Sequence, residues 1–383
     1  RKNPNLKPET TISKEIGAEV RLLDGHLTAD VTYYDKYTRD QIVESELSYL
    51  SNYQRVIINS GKISNKGWEI SVSGVPVKVK NFEWKTIFNW SKNNSMVESL
   101  PEGIDKIQIG SGVYNVKSYA EVGKPYGAIY AKTFKRDAEG YILCQLDGSP
   151  KEGQDYEYLG CVQADWRGGW NNVFRLGNFS FSVMFDFQKG GKFFSQTSIQ
   201  SSVDGQSVKS LEGRDADFFS RKILGESDEE RYGFMRPQNA NTPTANGQIY
   251  PDWGRPKGVV LPNCRYDEDV EGLAGQQVLG YCTPERYWMH YTSRDISRFI
   301  YDASYVKLRE ITVSYDLPKK WLRKTPFQTF RVAAVGRNIA TLFANTPHGL
   351  DPQATSTTGN AQGFERGFNL PSATYGFDIK VSF

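Results

Sequence analysis

Apolar and polar residues alternate along short segments throughout this chain. In the clearest segment Phe179, Phe181 and Phe185 are separated by polar residues such as Ser180 and Ser182. Because neighbouring side chains of a strand point to opposite faces of a sheet, this pattern predicts strands with one apolar and one polar face. Strands are predicted near residues 11–23, 27–43, 61–75, 81–95, 167–176, 179–190, 302–316, 327–341 and 371–383.

The connections between the predicted strands alternate between short and long. Short turns on one side of a sheet and long loops on the other are typical of outer-membrane β-barrels. Structureless connections longer than about 12–15 residues are, by contrast, uncommon in compact soluble domains. Short turns are predicted at Asp24–Gly25, 76–81, Gly177–Asn178 and 318–326, and long loops near residues 44–60, 96–165, 191–301 and 342–370.

The two faces of the predicted strands should meet different surroundings. Arg or Lys facing lipid at the membrane midplane costs about 2–4 kcal/mol, so charged strand residues should face water or a plug inside a barrel. The strand from Tyr305 to Tyr315 changes phase near Arg309 and Glu310, which predicts a β-bulge there. The strands are predicted to form one antiparallel sheet with Phe82, Trp84, Phe179, Phe181, Phe377 and Ile379 facing out, and with Glu69, Lys85, Arg175, Asp186, Arg331 and Arg337 facing in.

Composition agrees with an all-β protein and excludes several function classes. Aromatic residues make up 13% of the chain, and long runs of helix-forming residues at helical spacing are absent. The 47 basic and 44 acidic residues are interspersed, so no nucleic-acid surface is predicted. No transmembrane helix is predicted because no run of about 18 apolar residues occurs. A membrane strand needs only about 9–11 residues, so the membrane is not excluded.

The four cysteines form two pairs in long polar segments. In an exported protein, two local disulfides, Cys144–Cys161 and Cys264–Cys282, are predicted. The alternative is four unbridged thiols. A zinc site is not predicted, because CxxC spacing is missing.

No arrangement of residues predicts catalysis, a cofactor or a metal. The three histidines, His26, His290 and His348, lie far apart, and no catalytic or phosphate-binding motif occurs. The acidic runs Asp228–Glu230 and Asp267–Asp269 are predicted to be solvated loop charge rather than cation sites.

A series of short motifs occurs in one order along nearly the whole chain. They are Asn-Pro-Asn-Leu-Lys-Pro-Glu-Thr-Thr at residues 3–11, Asn-Ser-Gly at 59–61, Asn-Lys-Gly-Trp-Glu-Ile at 65–70, Val-Gly-Lys-Pro-Tyr-Gly at 122–127, Asp-Ala-Ser-Tyr-Val-Lys-Leu-Arg-Glu-Ile-Thr at 302–312, Gly-Arg-Asn-Ile at 336–339 and Asp-Pro-Gln at 351–353. In identity and order they resemble the SusC/RagA-like TonB-dependent outer-membrane transporters. The resemblance implies a partial transmembrane antiparallel β-barrel, about nine C-terminal strands of a barrel of about 22 strands.

The resemblance also implies what the chain lacks and what it does. Residues 1–383 are expected to be the C-terminal portion of the barrel domain, with the plug domain and N-terminal strands absent, and not to fold stably alone. The implied function is nutrient import across the outer membrane, with an oligosaccharide favoured over a peptide. The implied partners are a SusD-like surface lipoprotein, TonB acting through the absent plug, and outer-membrane lipid. Alternatives are a siderophore-type or passive barrel and a secreted β-rich adhesin or binding protein.

Aromatic residues in the long loops are candidates for contacts with a solute or with a capping partner. Flat rings can stack on sugar faces or anchor a protein interface. The alternative is that they pack the loops against one another, because long ordered loops need small cores of their own. The candidates are Tyr156, Tyr158, Trp166, Trp253, Trp288 and Tyr291.

Overall fold

The described part of the chain consists mainly of β-strands. The structure is a computed structural model that describes residues 4, 6–46, 55–59, 61–211, 259–282, 286–347, 349–353, 362–367 and 372–383. The strands of the first half are β1 (Thr10–Leu22), β2 (Leu27–Arg39), β3 (Ile42–Glu46), β4 (Arg55–Asn59), β5 (Lys62–Val79), β6 (Phe82–Ser99), β7 (Lys106–Ser111), β8 (Lys117–Glu121), β9 (Ala128–Phe134), β10 (Ile142–Cys144), β11 (Glu152–Cys161), β12 (Trp166–Leu176) and β13 (Phe179–Lys189). Those of the second half are β14 (Lys192–Ser195), β15 (Val259–Tyr266), β16 (Gln277–Cys282), β17 (Ile300–Asp302), β18 (Tyr305–Asp316), β19 (Thr329–Ala344), β20 (Phe364–Glu365) and β21 (Thr374–Ser382).

Nine of these strands form one sheet, which we call the wall sheet. Its order among the described residues is β1-β2-β5-β6-β12-β13-β18-β19-β21, and every neighbouring pair is antiparallel. The nine predicted strands and their single antiparallel sheet are therefore confirmed. The register of β18 against β19 shifts between Leu308 and Glu310, which confirms the predicted bulge.

The predicted alternation of short and long connections is confirmed as well. The turn between β12 and β13 has two residues, and Gly177 adopts a φ of 58°, which a residue without a Cβ reaches at little cost. The turn between β18 and β19 contains a short helix, Lys319–Leu322. All short turns join one end of the wall sheet, and the long loops join the other end.

The predicted aromatic residues share one face of the wall sheet. Phe174 stacks on Trp84 of one neighbouring strand at 5.8 Å between ring centroids, and on Phe181 of the other at 6.1 Å. The register continues this face through Val313 and Ala334 to Phe377, whose side chain is 85% exposed. Phe82, Trp84, Phe179, Phe181, Phe377 and Ile379 therefore all lie on the face predicted to point out.

The long loops have secondary structure that the sequence patterns did not predict. They contain a four-stranded sheet of order β11-β9-β8-β7, a sheet of β10, β15 and β16, a sheet of β17, β14 and β20, and the hairpin β3–β4. A helix, α1, spans Gln196–Val203, and its N-cap residue Ser195 accepts a hydrogen bond from the backbone N–H of Ser198. The main cluster of buried apolar residues lies in these loops and not in the wall sheet.

No helix within the described ranges has the length and apolar character needed to cross a membrane.

Candidate functional site

Charged residues occupy the face of the wall sheet opposite to the aromatic residues. Arg331 binds Asp316 through two hydrogen bonds of 2.7 and 2.8 Å, and Arg175 lies 3.5 Å from Glu83. Each pair joins neighbouring strands, so the charges are partly neutralised along the face. The register places all six residues predicted to face in on this charged face: Glu69, Lys85, Arg175, Asp186, Arg331 and Arg337.

A hydrogen-bonded network joins two of the sequence motifs at the loop end of this face. The Lys307 side chain, with 6% of its surface exposed, donates to both carboxylate oxygens of Asp351 at 2.6 Å and to Gln353 at 3.0 Å. Arg309 donates to Gln353 at 2.7 Å and to Asp186 at 3.1 Å. A buried ammonium group needs such partners to offset its lost hydration. The network therefore fastens the segment containing Asp351 and Gln353 to the wall sheet.

Two adjoining recesses lie on the charged face. One of about 380 Å³ is lined by the network residues Asp186 and Gln353 and by Tyr305, and one of about 470 Å³ is lined by Glu69, Asn89 and Asp186. Arg167 forms part of the lining of both recesses. Their charged and hydrogen-bonding linings suit a polar solute better than an apolar one.

Two of the predicted contact residues are buried in the loop core. Trp288 and Tyr291 are 1% and 2% exposed, and they lie in or at the end of the π-helical turn Tyr287–Tyr291. Tyr291 packs against Phe134 at 6.4 Å between centroids. Rings this deeply buried have no face for a solute or a partner, so for Trp288 and Tyr291 the structure favours the alternative of loop packing.

Tyr156 and Tyr158 lie together on one face of the four-stranded loop sheet. Tyr158 pairs with Tyr130 across β11 and β9, and their rings lie 5.6 Å apart. Tyr130 in turn contacts Tyr119 of β8 at 5.2 Å. Sequence reasoning missed Tyr119 and Tyr130, because they lie in the short strands β8 and β9 within a region predicted to be a long loop.

Lysines cover these rings. The ammonium group of Lys106 lies 4.5 Å from the ring centre of Tyr119 and 4.1 Å from that of Tyr130. Lys117 lies 4.4 Å above Tyr156, and Lys124 lies 4.4 Å above Tyr158, both typical of cation–π contacts. We call this surface the tyrosine–lysine face, and it consists of Lys106, Lys117, Tyr119, Lys124, Tyr130, Tyr156 and Tyr158.

A short chain of hydrogen bonds fixes the centre of the tyrosine–lysine face. Lys124 donates to the Tyr130 hydroxyl at 2.7 Å, and that hydroxyl donates to the Glu121 carboxylate. Burial and the bond to Glu121 raise the pKa of Tyr130, and the bond to Tyr130 raises the pKa of Lys124. Tyr130 therefore stays neutral and Lys124 stays charged at neutral pH.

The remaining two aromatic candidates are not part of this surface. Trp166 begins β12 and lines a recess of about 240 Å³ with Asn93, Gln163 and Arg167. Trp253 lies outside the described residues. Contacts of Tyr156, Tyr158, Trp166 and Trp253 with a solute or lid stay predictions.

Neither predicted disulfide is present in the structure, and none of the four cysteines forms a disulfide. Cys144 contacts Cys264, because β10 and β15 are parallel neighbours with Ile142 opposite Cys264. The hydrogen bond between the two thiols, together with burial, raises the pKa of the Cys144 thiol well above its usual value. Cys161 lies elsewhere, and its thiol contacts the Tyr126 carbonyl oxygen at 3.5 Å.

In an exported protein we therefore expect any disulfide of Cys144 to form with Cys264. The thiols of Cys144 and Cys264 already contact each other, whereas the Cys161 thiol contacts the Tyr126 carbonyl oxygen. Mass spectrometry of peptides prepared without reductant is expected to find these two cysteines joined. A peptide joining Cys144 to Cys161 would contradict this assignment.

The sequence predicted that the acidic run Asp267–Asp269 is solvated loop charge. For Asp267 this prediction is wrong. Asp267 is 3% exposed, and its carboxylate lies 2.9 Å from Lys135 and 2.8 Å from Lys151. Burial alone would raise the pKa of Asp267, but the bonds from Lys151 and Lys135 outweigh it and lower the pKa to about 2. The ion pairs join the loop segments around β10 and β15. Residues 228–230 lie outside the described residues.

Asp267→Asn is expected to destabilise this loop junction by about 1–3 kcal/mol at neutral pH, since two ammonium groups lose their counter-charge. The folded pKa is depressed, so the stabilisation is full above about pH 4 and is lost as pH falls towards 2. Hydrogen exchange of residues 259–282 should be faster in the variant at pH 7. Glu268→Gln, a change at the exposed neighbour, is the control, and equal exchange in both variants would contradict the assignment.

Within the described ranges, no group of three or more His, Cys, Asp and Glu side chains is arranged to hold a metal ion.

Comparison with known proteins identifies similar sequences. Residues 1–339 match the family model of the TonB dependent receptor-like β-barrel. The chain is 25% identical to TonB-dependent receptor P3 of Formosa agariphila over 97% of its own length and 33% of that receptor. It is 28% identical to the TonB-dependent receptor SusC of Bacteroides thetaiotaomicron over 27% of its length and 10% of that protein. The chain thus spans about a third or less of the length of these curated relatives.

Solved structures show the same fold. All of this chain superposes on 36% of a chain in the structure of the RagAB peptide transporter, with a TM-score of 0.64 and 16% identity. The RagAB peptide importer in its closed-closed state gives a TM-score of 0.62 with 17% identity. At these identities the likeness concerns the fold alone.

Proposed function

The chain belongs to the TonB dependent receptor-like β-barrel family and is SusC/RagA-like, and from this premise we propose that it forms one side of the wall of an outer-membrane nutrient importer. The observation that carries the proposal is the wall sheet. Its aromatic face suits lipid, and its charged face, with two recesses of about 380 and 470 Å³, suits a polar solute inside a barrel.

The two edges of the wall sheet support a division of the barrel between this chain and further strands. Among the described residues, β1 pairs with β2 alone and β21 pairs with β19 alone. In lipid each unsatisfied backbone group costs several kcal/mol, because no water can replace the lost hydrogen bond. We therefore propose that residues 1–383 are the C-terminal portion of the barrel domain. Further strands would close the barrel, and a plug domain would fill it and receive energy from TonB.

The long loops at one end of the wall sheet support a surface partner. These loops form a packed assembly with their own core, which can present a stable surface to a protein. A SusD-like lipoprotein that covers the barrel is the partner we propose. An oligosaccharide is the favoured solute, because Tyr156 and Tyr158 offer rings on the loop surface. A peptide, the solute of the RagAB transporter, is the alternative.

Uptake experiments separate active import from a passive barrel. Cells with and without the gene are given fluorescein-labelled oligogalacturonate or labelled casein peptides, with and without a protonophore. We expect gene-dependent accumulation of the oligosaccharide that stops when the protonophore removes the energy source for TonB. Equal accumulation with and without the protonophore would indicate a passive barrel. Accumulation that does not depend on the gene would contradict import.

A further inference from the structure

The four-stranded loop sheet has one face that serves packing and one that does not. Ile107, Ala120 and Ile129 project from one face into buried clusters, and they are at most 3% exposed. The opposite face is the tyrosine–lysine face, where Tyr158 is 41% exposed. Tyr130, 4% exposed, is buried at the centre of this face, whereas Lys106 and Tyr158 are exposed and Lys117 and Tyr156 are half-buried. This surface is therefore available to a ligand.

The charges on this surface favour an anion. Lys124 lies 3.2 Å from the Glu121 carboxylate. Within the described part of the chain, neither Lys106 nor Lys117 has a carboxylate at salt-bridge distance, and each lies over a tyrosine ring instead. A ring offers an ammonium group less stabilisation than a carboxylate does, so these two lysines can bind an incoming carboxylate or sulfate.

A recess beside the face favours a saccharide. It has a volume of about 510 Å³, and Tyr158 forms part of its lining. The amides of Asn93, Asn94 and Gln163 and the ion pair of Lys192 with Asp302 also line it. Amide and carboxylate groups next to an exposed ring are suited to a ligand with many hydroxyl groups and a flat apolar side.

We propose that the tyrosine–lysine face and the adjoining recess bind an acidic oligosaccharide. Lys106 and Lys117 bind its carboxylate or sulfate groups, Tyr156 and Tyr158 contact its ring faces, and the recess receives one end of the chain. The inference rests on the proposed function, because only an importer would make the bound saccharide a nutrient. It names the substrate class and the loop surface that binds the substrate.

Binding to the purified full-length protein in detergent tests this inference without transport. The probes are oligogalacturonate, a maltooligosaccharide of equal length, and polyglutamate with an equal number of carboxylates. The test variants are K106Q/K117Q/K124Q and Tyr158→Ala. The control variant, K319Q/K320Q/K324Q, removes the same charge from the turn at the opposite end of the wall sheet. Heat-modifiable gel mobility checks that every variant is folded.

We expect oligogalacturonate to bind at least about tenfold more tightly than either other probe. The triple variant on the face should lose about tenfold or more of this affinity, and the control less than about twofold. Tyr158→Ala should weaken oligogalacturonate binding but not polyglutamate binding. Equal affinity for polyglutamate, equal affinity for the neutral saccharide, or unchanged binding by the triple variant would each overturn the inference. Specific binding without uptake would instead contradict the import proposal alone.

Discussion

Val183→Arg is expected to prevent stable assembly of the barrel. Val183 lies midway along β13 on the aromatic face, opposite Ile311 of β18 and Asn172 of β12. An Arg side chain facing lipid at the midplane costs about 2–4 kcal/mol, a large part of the net stability of a typical protein. The expected result is a marked loss of heat-modifiable protein from the outer-membrane fraction, and a lower urea midpoint for the protein that does assemble.

Met184→Arg is the matched control for this prediction. Met184 is the next residue of the same strand, lies on the charged face and pairs with Glu310. An Arg side chain there meets water and a carboxylate, so assembly should be close to normal. Equal loss of assembly in both variants would show that this part of β13 does not tolerate Arg on either face. A greater loss of assembly with Met184→Arg than with Val183→Arg would mean that the two faces are reversed.

Trp288→Ala is expected to disrupt the loop assembly while leaving the wall sheet intact. The indole is 1% exposed and packs edge-on against Tyr287 at 5.1 Å between ring centroids. Replacing a buried Trp by Ala lowers the free energy of unfolding by about 3–5 kcal/mol, because the buried apolar surface of the ring is lost and a cavity is left in its place. The loop segment should become sensitive to protease in intact outer membranes, whereas heat-modifiable mobility should persist.

The adjacent residue supplies the control for this substitution. Met289 is 51% exposed, so Met289→Ala should leave the protease sensitivity of the loops unchanged. If Trp288→Ala also leaves it unchanged, the buried cluster does not hold the loops together. If Trp288→Ala abolishes heat-modifiable mobility, the loop core and the wall sheet form one cooperative unit instead of two.

The wall sheet was predictable because its pattern is local and repeated. Alternation such as that from Phe179 to Phe187 specifies both the strand and its faces, and each two-residue turn fixes the register of the next strand. The bulge at Arg309 was visible for the same reason, as a change of phase within one strand.

The loop assembly was harder to predict because its contacts join distant segments. β8 has only five residues, and their apolar and polar types do not alternate, so its sequence does not distinguish a strand from a loop. The contact of Cys144 with Cys264 depends on the parallel pairing of β10 and β15, which no local pattern reveals. Asp267 lies in an acidic run that looks solvated in the sequence. Its ion pairs with Lys135 and Lys151 join it to a distant segment of the chain, which no local pattern reveals. Burial of Trp288 likewise depends on packing around the π-helical turn.

The central claim is that the wall sheet separates lipid from a polar interior, and spin labelling along β13 tests it most directly. Single labels at successive positions from Ser180 to Gln188, in the full-length protein inserted into bilayers, report collision with oxygen and with a water-soluble nickel complex. The account predicts oxygen maxima at Phe181, Val183, Phe185 and Phe187, and nickel maxima at the even positions between them. Accessibility that does not alternate, or oxygen maxima at the even positions, would contradict it.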